Sequence, residues 1–358
     1  MRVLHIGEYV QGGVATYIAT LLNHPDNLEI EDFLICSEKI SEYEWSIPVD
    51  HVSYYPYERS LLQIFPAMVA IQRKIKRVQP DVIYCHSTWA GVLARLPLFF
   101  LSKNFRVIYN AHGWAFLRDT SEWKRKVYAW VERFLLLKTD AVVDVSKYEY
   151  DAALHYGLGK EKQHIIYSGI EVDKEPIDPS IHLMKNALNL LFVGRFDPQK
   201  GVDYLLDIFN KCQRLDIHLT LIGDNVIGGL NIEKKNTNRI TFLGWVPHES
   251  LCSYYATCDA VIMPSRWKAF GLVAVEAMKY GKPVIVSSRG ALTEIIKDKE
   301  TGYVFDFKDP NSLLNILNDL DLSVLKKMGS SAEDHFKRYF QAESMIKKTI
   351  ALYKDIVS

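Results

Sequence analysis

Cysteine is scarce in this chain: five thiols, Cys36, Cys85, Cys212, Cys252 and Cys258, are scattered through 358 residues without a CxxC pair. That pattern suggests neither a disulfide framework nor a zinc site, and a reducing compartment is expected. Long apolar runs are missing as well. Uncharged stretches such as 61–72 and 82–94 fall well short of the roughly 20 residues that a membrane-spanning helix needs. The opening MRVLHIG is too short for a signal sequence and reads as a buried first strand. Net charge is absent too, with 43 Lys and Arg against 43 Asp and Glu. Without a basic excess or a matching motif, nucleic acid is not an expected partner. No short repeat or low-complexity tract appears, and the 48 % hydrophobic and 24 % charged content is that of an ordinary globular chain.

What the chain does have is length for about two cores. Short apolar, β-branched runs recur at 3–6, 33–36, 82–85, 107–109, 141–145 and 165–167, separated in several places by amphipathic stretches of helical length. This alternation is the signature of a parallel sheet covered by helices. An acidic, proline-containing segment, SGIEVDKEPIDPS, follows, and the pattern restarts at 190–193, 219–222, 240–243, 260–263 and 284–286. The expectation is an α/β chain of two doubly wound Rossmann-like domains, 1–167 and 168–339. The stretch from about Ser330 to the end reads as helices, the last of which, about 340–358, packs back on the first domain. Ligands of such sheets bind beyond the carboxyl ends of the strands, so a cleft between the domains is the expected site.

Charge is segregated. Residues 1–59 carry three Lys/Arg against ten Asp/Glu, and residues 73–138 carry thirteen against four. Within the basic part, residues 121–138 interleave Trp123, Tyr128, Trp130 and Phe134 with Lys124, Arg125, Lys126 and Arg133. Periodicity leaves two readings open: peripheral contact with an anionic membrane, or an amphipathic helix whose aromatic side packs on the sheet.

Four stretches carry chemistry. In PSRWKAFGLVAVEAMKYGKP, Phe270, Gly271 and Leu272 open a helix after a strand, so their backbone N–H groups suit a phosphate or sugar hydroxyl. Glu276, further along that helix, suits a ribose diol, although a solvent-facing glutamate has the same spacing. In VGRFDPQKGV, Arg195 and Lys200 suit a diphosphate, the first as a fork and the second as a point charge. Gly12 and Gly13, after the first strand, permit close backbone approach to an anion, as an ordinary tight turn also would. Two histidines end strands: His112, in AHG, is expected to meet sugar hydroxyls or line an acceptor pocket, and His86 is expected to be structural.

Taken in order, GGVATY, HST, AHG, VSKYEYDA, GRFDPQKGVDYLL, LIGD, FLGWVP and PSRWKAFGLVAVEAM with GKPVI resemble the GT-B glycosyltransferases of family 4, the large retaining group, over nearly the whole chain. The resemblance implies a nucleotide diphosphate sugar, UDP- or GDP-linked, as substrate, with no cofactor and no metal. Arg195 and Lys200 would grip the diphosphate, Glu276 the ribose, the backbone at Phe270, Gly271 and Leu272 the phosphate and sugar, and Val246 the base, with Gly12 and Gly13 completing the phosphate site. It also implies a glycan or lipid-linked acceptor in bacterial cell-surface polysaccharide synthesis, and a cytoplasmic protein, peripheral on the inner face of the membrane if residues 121–138 bind lipid.

One position departs from the family. Its signature has two glutamates, and where the first is expected this chain has Lys268, with Glu276 in the second place. The charge is reversed where the donor sugar is expected. Lys268 could pair with a phosphate or an acidic sugar, the donor could be held differently, or transfer could be impaired. An active hexosyltransferase with altered sugar contacts through His112, Lys268 and Glu276 is the expectation. The alternatives are a nucleotide-sugar-binding protein without transfer activity, and another enzyme on the same fold, such as an epimerase or phosphorylase.

Overall fold

The computed structural model describes residues 1–25, 29–39, 41, 45–226 and 229–358. Its contacts divide the chain into two units, Met1–Ile170 with Ala342–Ser358, and Glu171–Gln341. In chain order the first unit holds β1 (Arg2–Gly7), α1 (Gly13–Leu22), β2 (Glu31–Ser37), β3 (Val52–Tyr55), α2 (Leu61–Val78), β4 (Val82–His86), α3 (Thr88–Arg95), β5 (Arg106–Asn110), α4 (Glu122–Leu135), β6 (Ala141–Asp144), α5 (Lys147–His155) and β7 (Gln163–Ile165). The second holds β8 (Leu188–Val193), α6 (Val202–Lys211), β9 (Ile217–Ile222), β10 (Ile240–Gly244), α7 (His248–Thr257), β11 (Ala260–Met263), α8 (Leu272–Lys279), β12 (Val284–Ser287), α9 (Leu292–Ile295), β13 (Gly302–Phe305), α10 (Pro310–Asn318) and α11 (Leu322–Tyr339). The final helix, α12 (Ala342–Val357), belongs to the first unit and packs on α1. Ser168 to Ile170 stay with that unit because the Gly169 N–H donates to Met345 Sδ and the Ala342 N–H donates to the Ile170 carbonyl.

Both sheets are wholly parallel, in the orders β3-β2-β1-β4-β5-β6-β7 and β10-β9-β8-β11-β12-β13. Strands buried on both faces explain the continuous apolar runs, as in β11, AVIM, where all four residues are buried. Two strands lie outside the expected set. β3 (VSYY) and β13 (GYVF) are four residues long, and each carries only one or two buried residues, too little contrast to mark a strand. The seventh strand begins at Gln163 where 165–167 was expected, and α11 begins at Leu322, ahead of Ser330, capped by the Asp321 carboxylate, which accepts from the Val324 N–H.

A buried ion pair ties α4 to the first core. Arg95, fully buried, donates from Nη2 to Glu132 Oε2 at 3.0 Å, and Tyr109 donates from its hydroxyl to Glu132 Oε1 at 2.6 Å. The guanidinium lies 3.7 Å from the Tyr109 ring centroid. Gly91 makes room for this stack, since a Cβ there would come within 2.7 Å of both the ring and Arg95. With Ala129, Glu132 and Leu135 turned inward, the aromatic side of α4 faces away from the sheet: Trp123 is 63 % and Trp130 65 % exposed. Among the described residues no helix is long and apolar enough to cross a membrane.

Two further buried acids sit below the loop that follows β5. Asp144 Oδ1 accepts from the Trp114 indole N–H at 3.0 Å, and Glu149 accepts from the Trp114 and Val145 backbone N–H groups. Burial pushes Asp144 up to about 7, and burial together with the Asp144 charge pushes Glu149 up to about 8.

Two stability predictions follow from these buried groups. Glu132→Ala strands the Arg95 guanidinium in the core and is expected to cost about 3–5 kcal/mol by urea denaturation; a change below 1 kcal/mol would refute the anchoring role. Asp144 holds its proton in the folded chain up to about pH 7 and releases it near 4 when unfolded. The native state therefore binds more protons across that window, and stability falls as pH rises through it. Asp144→Asn keeps the acceptor for the indole and removes the titration. Wild type is expected to lose about 3 kcal/mol relative to the variant between pH 5 and 8.5, and parallel pH profiles would contradict the assignment.

Candidate active site

In the second unit the strand order reverses between β8 and β11: β9 and β10 lie on one side, β12 and β13 on the other. Loops that leave neighbouring strands at such a reversal open a crevice at their carboxyl ends. Here those loops are 194–201 and 264–271, and they are pinned together. The Arg266 N–H donates to the Gln199 carbonyl at 2.8 Å, and its guanidinium donates to both Asp203 carboxylate oxygens at 2.8 and 2.7 Å. Gly201 has φ 68°, and a Cβ there would lie 2.1 Å from the Pro264 carbonyl oxygen. Only glycine fits this approach.

The pinned loops bring Arg195, Lys200 and Lys268 together, with Glu276 within electrostatic reach. The Lys200 and Lys268 side chains lie close enough to interact directly. Arg195 Nη2 lies 3.2 Å from Asp197 Oδ2, and Asp197 Oδ1 accepts from the Lys200 N–H at 3.0 Å. Glu276 is half-buried on α8 and accepts from the Tyr255 hydroxyl at 2.7 Å, so it is oriented rather than loosely solvated. Burial, then the neighbouring Lys200 and Arg195 charges, hold Lys268 well below the ordinary lysine range; burial lowers Lys200 too. Two unit charges about 4 Å apart repel by about 4 kcal/mol at an effective dielectric of 20, so the pair carries one proton more readily than two. The Lys268 backbone is held as well: its carbonyl accepts from the Ala291 N–H at 3.0 Å, and Gly290, with φ 66°, lies against it.

Around this cluster the other expected residues fall at strand ends. Gly271 is the N-cap of α8 and offers no side-chain cap; the Ala274 N–H turns back to the Gly271 carbonyl at 2.8 Å, and helix geometry leaves the Leu272 and Val273 N–H groups without an acceptor within the helix. Phe270 is a buried anchor, 6.0 Å from the Phe340 ring, and what it presents is backbone. Val246 lies between β10 and α7, just past Gly244, whose carbonyl accepts from the Gly223 N–H at 2.8 Å. Gly223 in turn abuts the Gly194 carbonyl, linking the loops after β8, β9 and β10.

The first unit carries Gly12, Gly13 and His112. Gly12 has φ 57° and caps α1, exposed and with nothing within 4 Å of where a Cβ would be; Gly13 opens the helix. His112, just past β5, also has positive φ, 48°, rare for a residue with a side chain. Its N–H donates to Asn110 Oδ1 at 2.8 Å, and its Nε2 lies 3.1 Å from His86 Nδ1. Sequence reasoning did not find Asp197, Tyr255, His5, Asp32 or Glu149. All five act through contacts with residues distant in the chain or through a turn of backbone, and only the flanking motifs could have drawn attention to Asp197.

Comparison with known proteins identifies the family and the fold. Residues 11–174 match the family model Glycosyltransferase Family 4, and residues 173–327 match Glycosyl transferases group 1. An uncharacterised 41.2 kDa protein of the cps region of Klebsiella pneumoniae is 34 % identical, with 99 % of each chain covered. An Escherichia coli UDP-Gal:alpha-D-GlcNAc-diphosphoundecaprenol alpha-1,3-galactosyltransferase is 23 % identical over 92 % of this chain and 90 % of its own. Among solved structures, sucrose-phosphate synthase from Thermosynechococcus elongatus superposes with a TM-score of 0.82 at 21 % identity, covering 99 % of this chain and 98 % of that one. The chain belongs to the group 1 glycosyltransferases of family 4, enzymes of GT-B fold that transfer sugars.

Proposed function

We propose that this enzyme transfers a sugar, with retention, from a UDP- or GDP-sugar to a glycan or lipid-linked acceptor in bacterial cell-surface polysaccharide synthesis. The observation that carries the reading is the gathering of Arg195, Lys200 and Lys268 beside Glu276 at the strand-order reversal of the second unit. The diphosphate sits against the three cations and the α8 N-terminus, Glu276 takes the ribose hydroxyls, Val246 faces the base, Gly12 and Gly13 add backbone N–H groups, and His112 meets a sugar hydroxyl. As the anomeric bond loosens, negative charge grows on the leaving diphosphate, and preorganised cations offset it most at that moment. A leaving-group oxygen takes the acceptor proton on the same face of the sugar, so no side-chain nucleophile is required. The lipid-linked substrate in the name of the Escherichia coli relative supports a similar acceptor class.

Lys268 fits this scheme as an amine that regains its proton when a dianionic diphosphate arrives. Titration calorimetry with a panel of UDP- and GDP-sugars, in buffers of different ionisation enthalpy near pH 8, is expected to show sugar-selective binding with uptake of up to one proton. Lys268→Glu is expected to abolish the uptake, and Lys200→Ala to lower kcat by about 10²–10³. Full turnover in Lys200→Ala would sink the diphosphate assignment. Binding by wild type without turnover of any acceptor would favour the nucleotide-sugar-binding reading.

The exposed aromatic stripe of α4 supports peripheral attachment to the inner face of the membrane. Trp123, Val127, Trp130 and Phe134 face outward, Phe134 stacks on Phe99 at 4.4 Å between ring centroids, and Lys124 and Lys138 flank the rings. Basic and aromatic groups together suit an anionic bilayer surface. Sedimentation with phosphatidylglycerol vesicles is expected to bring down the wild type at low salt and to lose the Trp123→Ala/Trp130→Ala double variant, while phosphatidylcholine vesicles leave both in solution. Equal binding of both proteins would remove α4 from the membrane reading.

A further inference from the structure

Behind His112 the first unit contains a continuous line of buried groups, His86, His5 and Asp32, that the transfer scheme above does not use. His5 on β1, Asp32 on β2 and His86 on β4 are nearly or fully buried, and parallel register places all three on one sheet face, lined by Tyr17 of α1 and Tyr353 of α12. His112 Nε2 lies 3.1 Å from His86 Nδ1, His86 Nε2 lies 3.0 Å from His5 Nδ1, and His5 Nε2 lies 3.2 Å from Asp32 Oδ1. The other Asp32 oxygen accepts from His24 Nε2 at 2.6 Å. Burying so many polar rings is costly unless each is hydrogen-bonded, and a fully linked network admits few proton arrangements.

The order of donors follows from the carboxylate. Burial raises the Asp32 pKa, but the hydrogen bonds from His24 and His5 outweigh it and hold the group below its ordinary value, so it is an acceptor on both oxygens. His5 must then carry its hydrogen on Nε2. Its bare Nδ1 accepts from His86 Nε2–H, and the bare His86 Nδ1 accepts from His112 Nε2–H. What remains is His112 Nδ1, without a partner among the described residues, at the carboxyl end of β5 where the loop opens.

We infer that Asp32, His5 and His86 are positioning residues that hold a bare Nδ1 at His112 as the acceptor for a substrate hydroxyl, and form a relay for any proton delivered there. The inference rests on the proposed placement of His112 at a sugar hydroxyl. A proton arriving at His112 Nδ1 forms an N–H bond there. The His112 Nε2–H proton passes to His86 Nδ1, and the His86 Nε2–H proton passes to His5 Nδ1. One proton enters, His86 and His112 end neutral with reversed tautomers, and His5 becomes an imidazolium against the Asp32 carboxylate. Burial keeps His86 well below the ordinary histidine value and His112 down to about 3, which keeps the charge off both. The groups facing the line are Tyr84 at His5 and His86, Tyr17 at His86 and His112, and Tyr353 and His24 at Asp32. The three tyrosines are pushed up by burial, Tyr17 to about 12, and stay neutral throughout.

The test is the ring nitrogen spectrum of the full chain, labelled with ¹⁵N-histidine, assigned with His5→Gln, His86→Gln and His112→Gln and followed from pH 8.5 to 5. His5, His86 and His112 are expected to be neutral Nε2–H tautomers at high pH. On acidification, His112 is expected to stay neutral and to switch to Nδ1–H, with His86 switching to Nδ1–H at the same midpoint. In Asp32→Asn that midpoint is expected to fall by at least one pH unit. A hydrogen on His112 Nδ1 at pH 8.5, or a His112 ring that turns cationic itself, would overturn the relay. The readout needs no nucleotide sugar, so a chain with the expected tautomers but no turnover would refute the transfer reading and leave the relay standing.

Discussion

The approach of two loops at the reversal of strand order governs the second unit. β8 and β11 are neighbours, yet the chain runs outward from β8 through β9 and β10 before returning. Their loops therefore leave the same sheet end toward different partners, and something must hold them together. Gly201 against the Pro264 carbonyl and Arg266 across to Asp203 do so. A side chain at 201 would need more than 1 Å of displacement where Lys200 is being delivered to Lys268. Backbone contact, not attraction between the functional groups, brings like charges together, since their mutual interaction is repulsive.

That repulsion has a use. An empty pocket lined by mutually attracting groups must break those attractions before it takes a ligand. A pocket of crowded cations, each disfavouring the charge of the next, gains on meeting a dianion. Asp197 and Tyr255 serve this arrangement from behind, the first holding Arg195 and the Lys200 backbone, the second holding Glu276 so that its carboxylate does not collapse onto the lysines. Lys268 thus alters the balance of the site rather than simply deleting a sugar contact. A glutamate in its place would pair with Lys200 and leave less positive charge for the diphosphate.

Much of this was readable in the chain, and the part that was not has a physical reason. Two parallel sheets followed from apolar runs of strand length, and the family followed from an ordered series of motifs. β3 and β13 escaped because four residues with one or two buried side chains carry too little periodicity. In the sequence His112 stands out by its place after a strand, His86 reads as structural, and nothing marks His5 or Asp32. The reason is register: in strands buried on both faces, no alternation of polar and apolar residues says which residue lies beside which. His5 opposite Tyr84, and Gly7 opposite His86, become visible only once β1 and β4 are paired.

The two units carry polar groups at equivalent places, at the ends of the central strands of each sheet, but of different kinds. The second unit concentrates positive charge that cannot leave, because its backbone is pinned. The first holds rings whose protons can move without any heavy atom moving far, because successive groups of the line lie 3.0–3.2 Å apart. Fixed charge suits a leaving group that becomes more negative, and a mobile proton suits a hydroxyl whose polarity changes during the same event. Replacing the imidazoles with apolar residues of similar volume would pack as well and avoid the burial of polar groups. The line of histidines is therefore hard to explain as packing alone, and the positive φ of His112, held by Asn110, is a strain that aims one nitrogen in one direction.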